Sequence, residues 1–166
     1  MPRSRRRLLL AAALLLASGC SREGSPNRAA PPSETSPKGK VEFVTAPLAP
    51  DLPAQIRAEL LRAENDQRDL LIYVGATWCE PCQRFHRAAK AGLLDPLFPR
   101  LRLLEFDFDR DGQRLAQAGY TSRLIPLFAL PNPDGRASGK YIEGSIKGEG
   151  AVGEIAPRLT RLIAGN

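Results

Sequence analysis

The sequence predicts an α/β domain in which a central mixed β-sheet is flanked by helices on both faces. Three observations carry that prediction. The run Leu70-Leu71-Ile72-Tyr73-Val74 is apolar without interruption, as a strand buried on both faces must be. From Asp51 to Ala118, stretches with helical periodicity alternate with strand-like ones, which implies crossover units and a largely parallel sheet. The turn sequence Pro131-Asn132-Pro133-Asp134-Gly135 then joins two late strands as a hairpin, which makes the sheet mixed.

Taken in order, Val41 to Ala46 reads as a short strand. Asp51 is placed to cap a helix with Pro53 in its first turn, and Leu52, Ile56, Leu60 and Ala63 fall on one face of it. The Leu70–Val74 strand turns at Gly75 to Cys79 into a helix from Glu80 to about Leu94. Leu101 to Phe108 is expected as an alternating strand, with Phe106 and Phe108 on one buried face. A short helix follows from Asp111, as its cap, to Ala118. Leu124 to Leu130 is a strand interrupted by Pro126, and Lys140 to Glu143 returns as an edge strand. Glu149 to Ile163 closes the chain as a helix with Val152, Ile155, Leu159, Leu162 and Ile163 on one face.

Residues 1–19 lie outside this domain. Arg3, Arg5, Arg6 and Arg7 precede an apolar run from Leu8 to Leu16, followed by the small residues Ala17-Ser18-Gly19. That is the pattern of a secretory signal peptide, too short for a permanent span of ~20 residues. Leu16-Ala17-Ser18-Gly19-Cys20 resembles a bacterial lipobox, in which Cys20 is lipidated and becomes the first mature residue; Ala17 stands where Leu is commonest. The acyl chains would anchor the chain to the bacterial envelope, facing the periplasm or the cell surface. Ser21, in place of an inner-membrane-retaining Asp, favours the outer membrane. Residues 20–40 are rich in Ser, Pro, Gly and Asn and form a flexible tether with a reach of about 25 Å. The domain itself spans residues 41–166. The net charge of +6 shrinks once the signal is removed, leaving 20 basic and 18 acidic side chains, so no nucleic-acid partner is indicated.

With Cys20 lipidated, Cys79 and Cys82 remain, three apart, in an exported protein where disulfides persist. So small a loop removes little unfolded-state entropy, and the pair is better explained by chemistry than by stapling. At the start of a helix, the unpaired N–H groups and the dipole favour a thiolate on Cys79. Cys79 is therefore the nucleophile that forms a mixed disulfide, and Cys82, one turn on, resolves it. Pro81 is tolerated where first-turn N–H groups have no partner.

The segment Leu71 to Cys82, with Trp78-Cys79-Glu80-Pro81-Cys82 at its end, resembles the active-site segment of the thioredoxin family. Thr121-Ser122-Arg123-Leu124-Ile125-Pro126 resembles the segment that carries the family's cis-proline. The resemblance spans roughly residues 59–164. It implies a membrane-anchored thiol–disulfide oxidoreductase that needs no cofactor beyond the Cys79–Cys82 disulfide. Trp78, Glu80, Pro81, Ile125 and Pro126 would support the site, with Ile125 and Pro126 presenting backbone to the substrate. The implied partners are protein disulfides and an upstream membrane thiol donor, and the chain would act as a monomer, leaning towards reduction.

The chain departs from the family at Tyr73. Cytoplasmic thioredoxins bury an Asp there, six residues before the nucleophile, which moves the proton of the second Cys; a phenol is a poorer acceptor. Glu80 is the first candidate substitute, since the C-E-P-C form resembles thioredoxins serving cytochrome c maturation; it is otherwise a first-turn carboxylate favoured by the dipole. His86, four residues after Cys82, is a second candidate base, and otherwise a solvated or packing residue. No metal site is expected. Zinc lacks four ligands. Asp107 to Gly112 begins like a calcium loop, but its twelfth position is Ala118. Two readings stay open beside the redox enzyme: a dithiol module handling copper, and an interaction domain whose redox activity is incidental.

Overall fold

The computed structural model describes residues 39–165. The predicted signal segment, the lipidation site Cys20 and nearly all of the tether lie outside them. The elements are β1 (Glu42–Thr45), α1 (Leu52–Asn65), β2 (Asp69–Gly75), α2 (Glu80–Lys90), β3 (Leu101–Asp107), α3 (Phe108–Gln117), β4 (Leu127–Pro131), β5 (Ala137–Glu143) and α4 (Ala151–Ala164). They build a five-stranded sheet in the order β1-β3-β2-β4-β5. β1, β3 and β2 run parallel, while β4 is antiparallel to β2 and β5 to β4. This is the expected mixed sheet flanked by four helices.

The two-residue period of β2 divides the interior. Leu70, Ile72 and Val74 point into one cluster with Leu52 and Ile56 of α1 and Leu115 of α3. Leu71 and Tyr73 point into the other, with Phe85 of α2, Phe128 of β4 and Ile155 and Leu159 of α4. Both faces of β2 are therefore dry, which is why its run carries no polar residue. Burial of each such aliphatic side chain contributes roughly 1.5–3 kcal/mol. Asp51 caps α1 as expected, its Oδ1 accepting from the Ala54 amide at 2.9 Å.

Several elements differ from expectation, and β5 begins at Ala137 instead of Lys140. β3 is buried over four consecutive residues instead of alternating, because helices cover both of its faces. The chain then turns helical four residues earlier than expected. The cap is Asp107, not Asp111: its Oδ1 accepts from the amides of Asp109 and Arg110 at 3.0 and 2.9 Å. Asp111 instead reaches back to the Asp107 amide at 2.9 Å and binds Arg110 and Arg114 at 2.7 and 3.0 Å. Phe108 consequently sits on α3 with 36% exposure, parted from the buried face of Phe106. α2 ends at Lys90 and passes into turns. β4 begins only at Leu127, after Pro126, which has no N–H to give a ladder.

A buried ion network closes the α1 face near the start of β3. Arg102 binds Glu42, Glu59 and Asp66 at 2.7, 3.3 and 2.7 Å, and Arg68 binds Glu42 at 3.1 Å.

Candidate redox site

β2 is the central strand, and its C-terminal end delivers the site. Gly75 ends it where a side chain has no room: a Cβ there would lie 2.7 Å from the Tyr73 hydroxyl. Residues 76–78 form the turn, closed by the Cys79 amide donating to the Ala76 carbonyl at 3.1 Å. Cys79 is the N-cap of α2, in extended conformation, and its Sγ accepts from the Cys82 amide at 3.3 Å. Cys79 and Cys82 are joined in a disulfide. Pro81 occupies the first turn of α2, where its missing N–H costs nothing. The cysteines are 4% and 2% exposed, so a partner reaches only the edge of the S–S bond.

The rim around that edge is apolar. Trp78 is 62% exposed and is fixed on two sides: its Nε1 donates to Asp109 Oδ2 at 2.8 Å, and its ring meets Phe108 edge-on at 6.3 Å. Ile125 packs on Ala76, Cys79 and Cys82. The Ile125–Pro126 peptide is cis. Leu124, next to Ile125 in the chain, is also exposed.

Glu143 at the end of β5 was not singled out from the sequence, yet it holds the loop before Pro126. Its Oε2 accepts from the Ser122 hydroxyl and the amides of Arg123 and Leu124, at 2.8, 2.8 and 3.4 Å. The Ser122 hydrogen bond, with the two amides, holds its carboxyl below the ordinary carboxylate range. The Gly144 amide donates to the Pro126 carbonyl at 2.9 Å, and a Cβ on Gly144 (φ +65°) would lie 2.9 Å from Leu124 Cδ1. No local motif marks these residues; only the β4–β5 pairing brings them beside the loop.

Glu80 is engaged by Arg84 and the loop before α4. It is paired with Arg84, which also binds Glu149, and it accepts from the Gly148 amide at 3.1 Å. The Arg84 hydrogen bond is the main reason its carboxyl lies below the ordinary range. Its charge is thus balanced locally, and its contact is with the loop before α4.

A cleft of about 790 Å³ opens on the α2 side of the sheet, lined by Cys82, Tyr73, Gly75, His86, Glu105 and Phe43 among others. His86 Nε2 lies 2.7 Å from Glu105 Oε1, and its ring stacks on Phe43 at 4.1 Å. Burial, with the negative charge of Glu105 beside it, drives the Tyr73 phenol far above its ordinary pKa. Among the described residues, no group of three or more His, Cys, Asp or Glu is arranged to hold a metal ion.

A central parallel strand runs into a helix capped by a Cys-x-x-Cys disulfide, and a cis-prolyl loop beside the sulfurs leads into the antiparallel neighbour strand. The fold is thioredoxin-like. No family model and no curated protein matches the sequence. Solved structures similar to it include a poplar thioredoxin h, at 22% identity over 76% of this chain and 96% of that one, with a TM-score of 0.46. The short form of spinach chloroplast thioredoxin f is similar at 21% identity over 76% and 93%, TM-score 0.45. Thioredoxin O1 from Arabidopsis thaliana in its oxidized state is similar at 17% identity over 76% and 96%, TM-score 0.42. The thioredoxin-like domain here presents its disulfide in an apolar rim, with ion pairs kept to the flanks.

Proposed function

We propose that this protein is a thiol–disulfide oxidoreductase of the bacterial envelope, anchored by lipid on Cys20 and acting as a reductant of protein disulfides. The observation that carries the reading is the Cys79–Cys82 disulfide at the N-terminus of α2, edge-exposed beside the apolar side chains of Trp78, Leu124 and Ile125. In the reduced state, Cys79 at the N-cap gains thiolate character from the helix N-terminus. It attacks a partner disulfide and releases one partner thiolate; Cys82 then attacks Cys79, releases the second, and restores the disulfide seen here. An upstream membrane thiol donor would return the pair to the dithiol. The tether gives the domain room to reach its partners, and the outer membrane is the favoured location.

Insulin reduction by the dithiothreitol-primed protein tests the activity. Turnover is expected in the wild type and none in Cys79→Ala; equal rates in both would refute the assignment. The direction is read by glutathione equilibrium. A potential near −270 mV fits a reductant and one near −120 mV an oxidant. Loss of membrane association in Cys20→Ser, with insulin reduction retained, is the expected signature of the anchor.

A further inference from the structure

Resolution of a mixed disulfide requires the Cys82 thiol to lose its proton to something. Cys82 is 2% exposed, so bulk water reaches it poorly, but it lines the cleft beneath the disulfide. Arg87 and Lys90 of α2 are cations and accept nothing. Arg110 of α3 is engaged by Asp111. Asp107 at the end of β3 commits its Oδ1 to the Asp109 and Arg110 amides as the cap of α3. Tyr73 of β2 has a buried hydroxyl with no hydrogen-bond partner, and its phenol is held protonated by burial and by Glu105. It is therefore not an acceptor. Phe43 of β1 has no titratable group. Glu80 is not among the residues lining the cleft, and its oxygens are engaged by Arg84 and the Gly148 amide.

His86 and Glu105 remain. Neither has another polar side-chain partner among the described residues than the other, at 2.7 Å. His86 lies one helical turn beyond Cys82, so the two side chains are neighbours on α2. Glu105 stands directly across from Tyr73 in the β2–β3 register, and the Tyr73 and His86 rings meet edge-on at 5.4 Å. The cleft is wide enough for water to link them to Cys82.

We infer that the His86–Glu105 pair is the proton acceptor for Cys82, fed through water in the cleft. The inference rests on the redox reading above. In the step, the Cys82 S–H proton passes through cleft water to the pair, leaving a Cys82 thiolate. The thiolate forms a bond to Cys79 Sγ as the Cys79–substrate S–S bond breaks. The substrate sulfur leaves as a thiolate and takes a proton from solvent; two electrons have moved from the dithiol to the substrate.

Reaction of the reduced full chain with 5,5′-dithiobis(2-nitrobenzoate) reads the two chemical events separately. The first release of thionitrobenzoate reports attack by Cys79, and the second reports resolution by Cys82. His86→Gln and Glu105→Gln are expected to slow the second release about tenfold or more at pH 6. Both should converge on the wild type above pH ~9, where an ordinary thiol ionises unaided, and neither should alter the first release. Glu105→Asp should recover part of the loss. A second release in His86→Gln with the wild-type pH profile overturns the inference and leaves the redox reading intact. So does equal slowing of both releases at every pH, which marks a structural role. Absence of the first release from the wild type overturns the redox reading and this inference with it.

Discussion

Two polar clusters flank β3 on opposite faces, and they are built differently. On the α1 face, the Arg102 guanidinium is divided among three carboxylates, with Arg68 sharing one of them. On the α2 face, Tyr73, His86 and Glu105 border an open cleft, and one buried hydroxyl has no partner at all. A fully paired buried network rigidifies, and breaking it is costly; a partly satisfied one is unstable unless water or a reacting group completes it. The difference separates the end of the molecule that holds the sheet together from the end that handles protons beside the disulfide.

The largest effect expected from breaking this comparison lies on the α1 face. Arg102→Ala removes the guanidinium that Glu42, Glu59 and Asp66 share, leaving Arg68 on Glu42 and Arg62 on Glu59, and should cost about 3–5 kcal/mol in urea unfolding. Insulin reduction per folded molecule should be unchanged, which distinguishes scaffold from site. Asp111→Asn is expected next, at about 1.5–3 kcal/mol, because Arg110 and Arg114 lose their charged acceptor. Burial pushes the Asp111 carboxyl up, but Arg110, the Asp107 amide and Arg114 together hold it below its ordinary value. Its stabilisation is therefore present above the unfolded Asp value of ~3.9 and is lost as pH falls through the lower folded value. Urea midpoints measured from pH 6 to pH 2.5 should fall more steeply in the wild type than in the variant.

Trp78→Ala probes the rim. It removes an exposed aromatic anchor that typically contributes more than ~1 kcal/mol to an interface. The KM for insulin should rise roughly tenfold while the rate with a small disulfide changes little. The smallest effect is expected at Glu143→Gln. Hydrogen exchange of the Arg123 and Leu124 amides should quicken roughly threefold at neutral pH as their carboxylate acceptor is lost. Since the Glu143 pKa is depressed, the wild type should keep this protection above ~4.3 and lose it as pH drops through the folded value.

Much of the fold was legible because its signals are local. An apolar run of five residues marked β2, Asp51 with Pro53 marked the start of α1, and Pro131–Gly135 marked the hairpin. The start of α3 was not legible. Asp111 was expected as its cap, but the β3 ladder ends at Asp107 and the chain turns there, with Asp107 as the cap. Phe108 followed that turn onto a half-exposed helix face.

At the site, the sequence by itself determined the Cys79–Cys82 spacing, the helix start beneath it, the Trp78 neighbour and the proline at 126. These depend on a dozen contiguous residues and one marked position. Tertiary structure alone decided that Glu80 pairs with Arg84 and Gly148, that Glu143 steadies the 122–124 loop, and that His86 meets Glu105 under Tyr73. Those partners lie from four to 68 positions apart along the chain. Strand register and helix docking bring the distant ones together, and neither is written in any one segment.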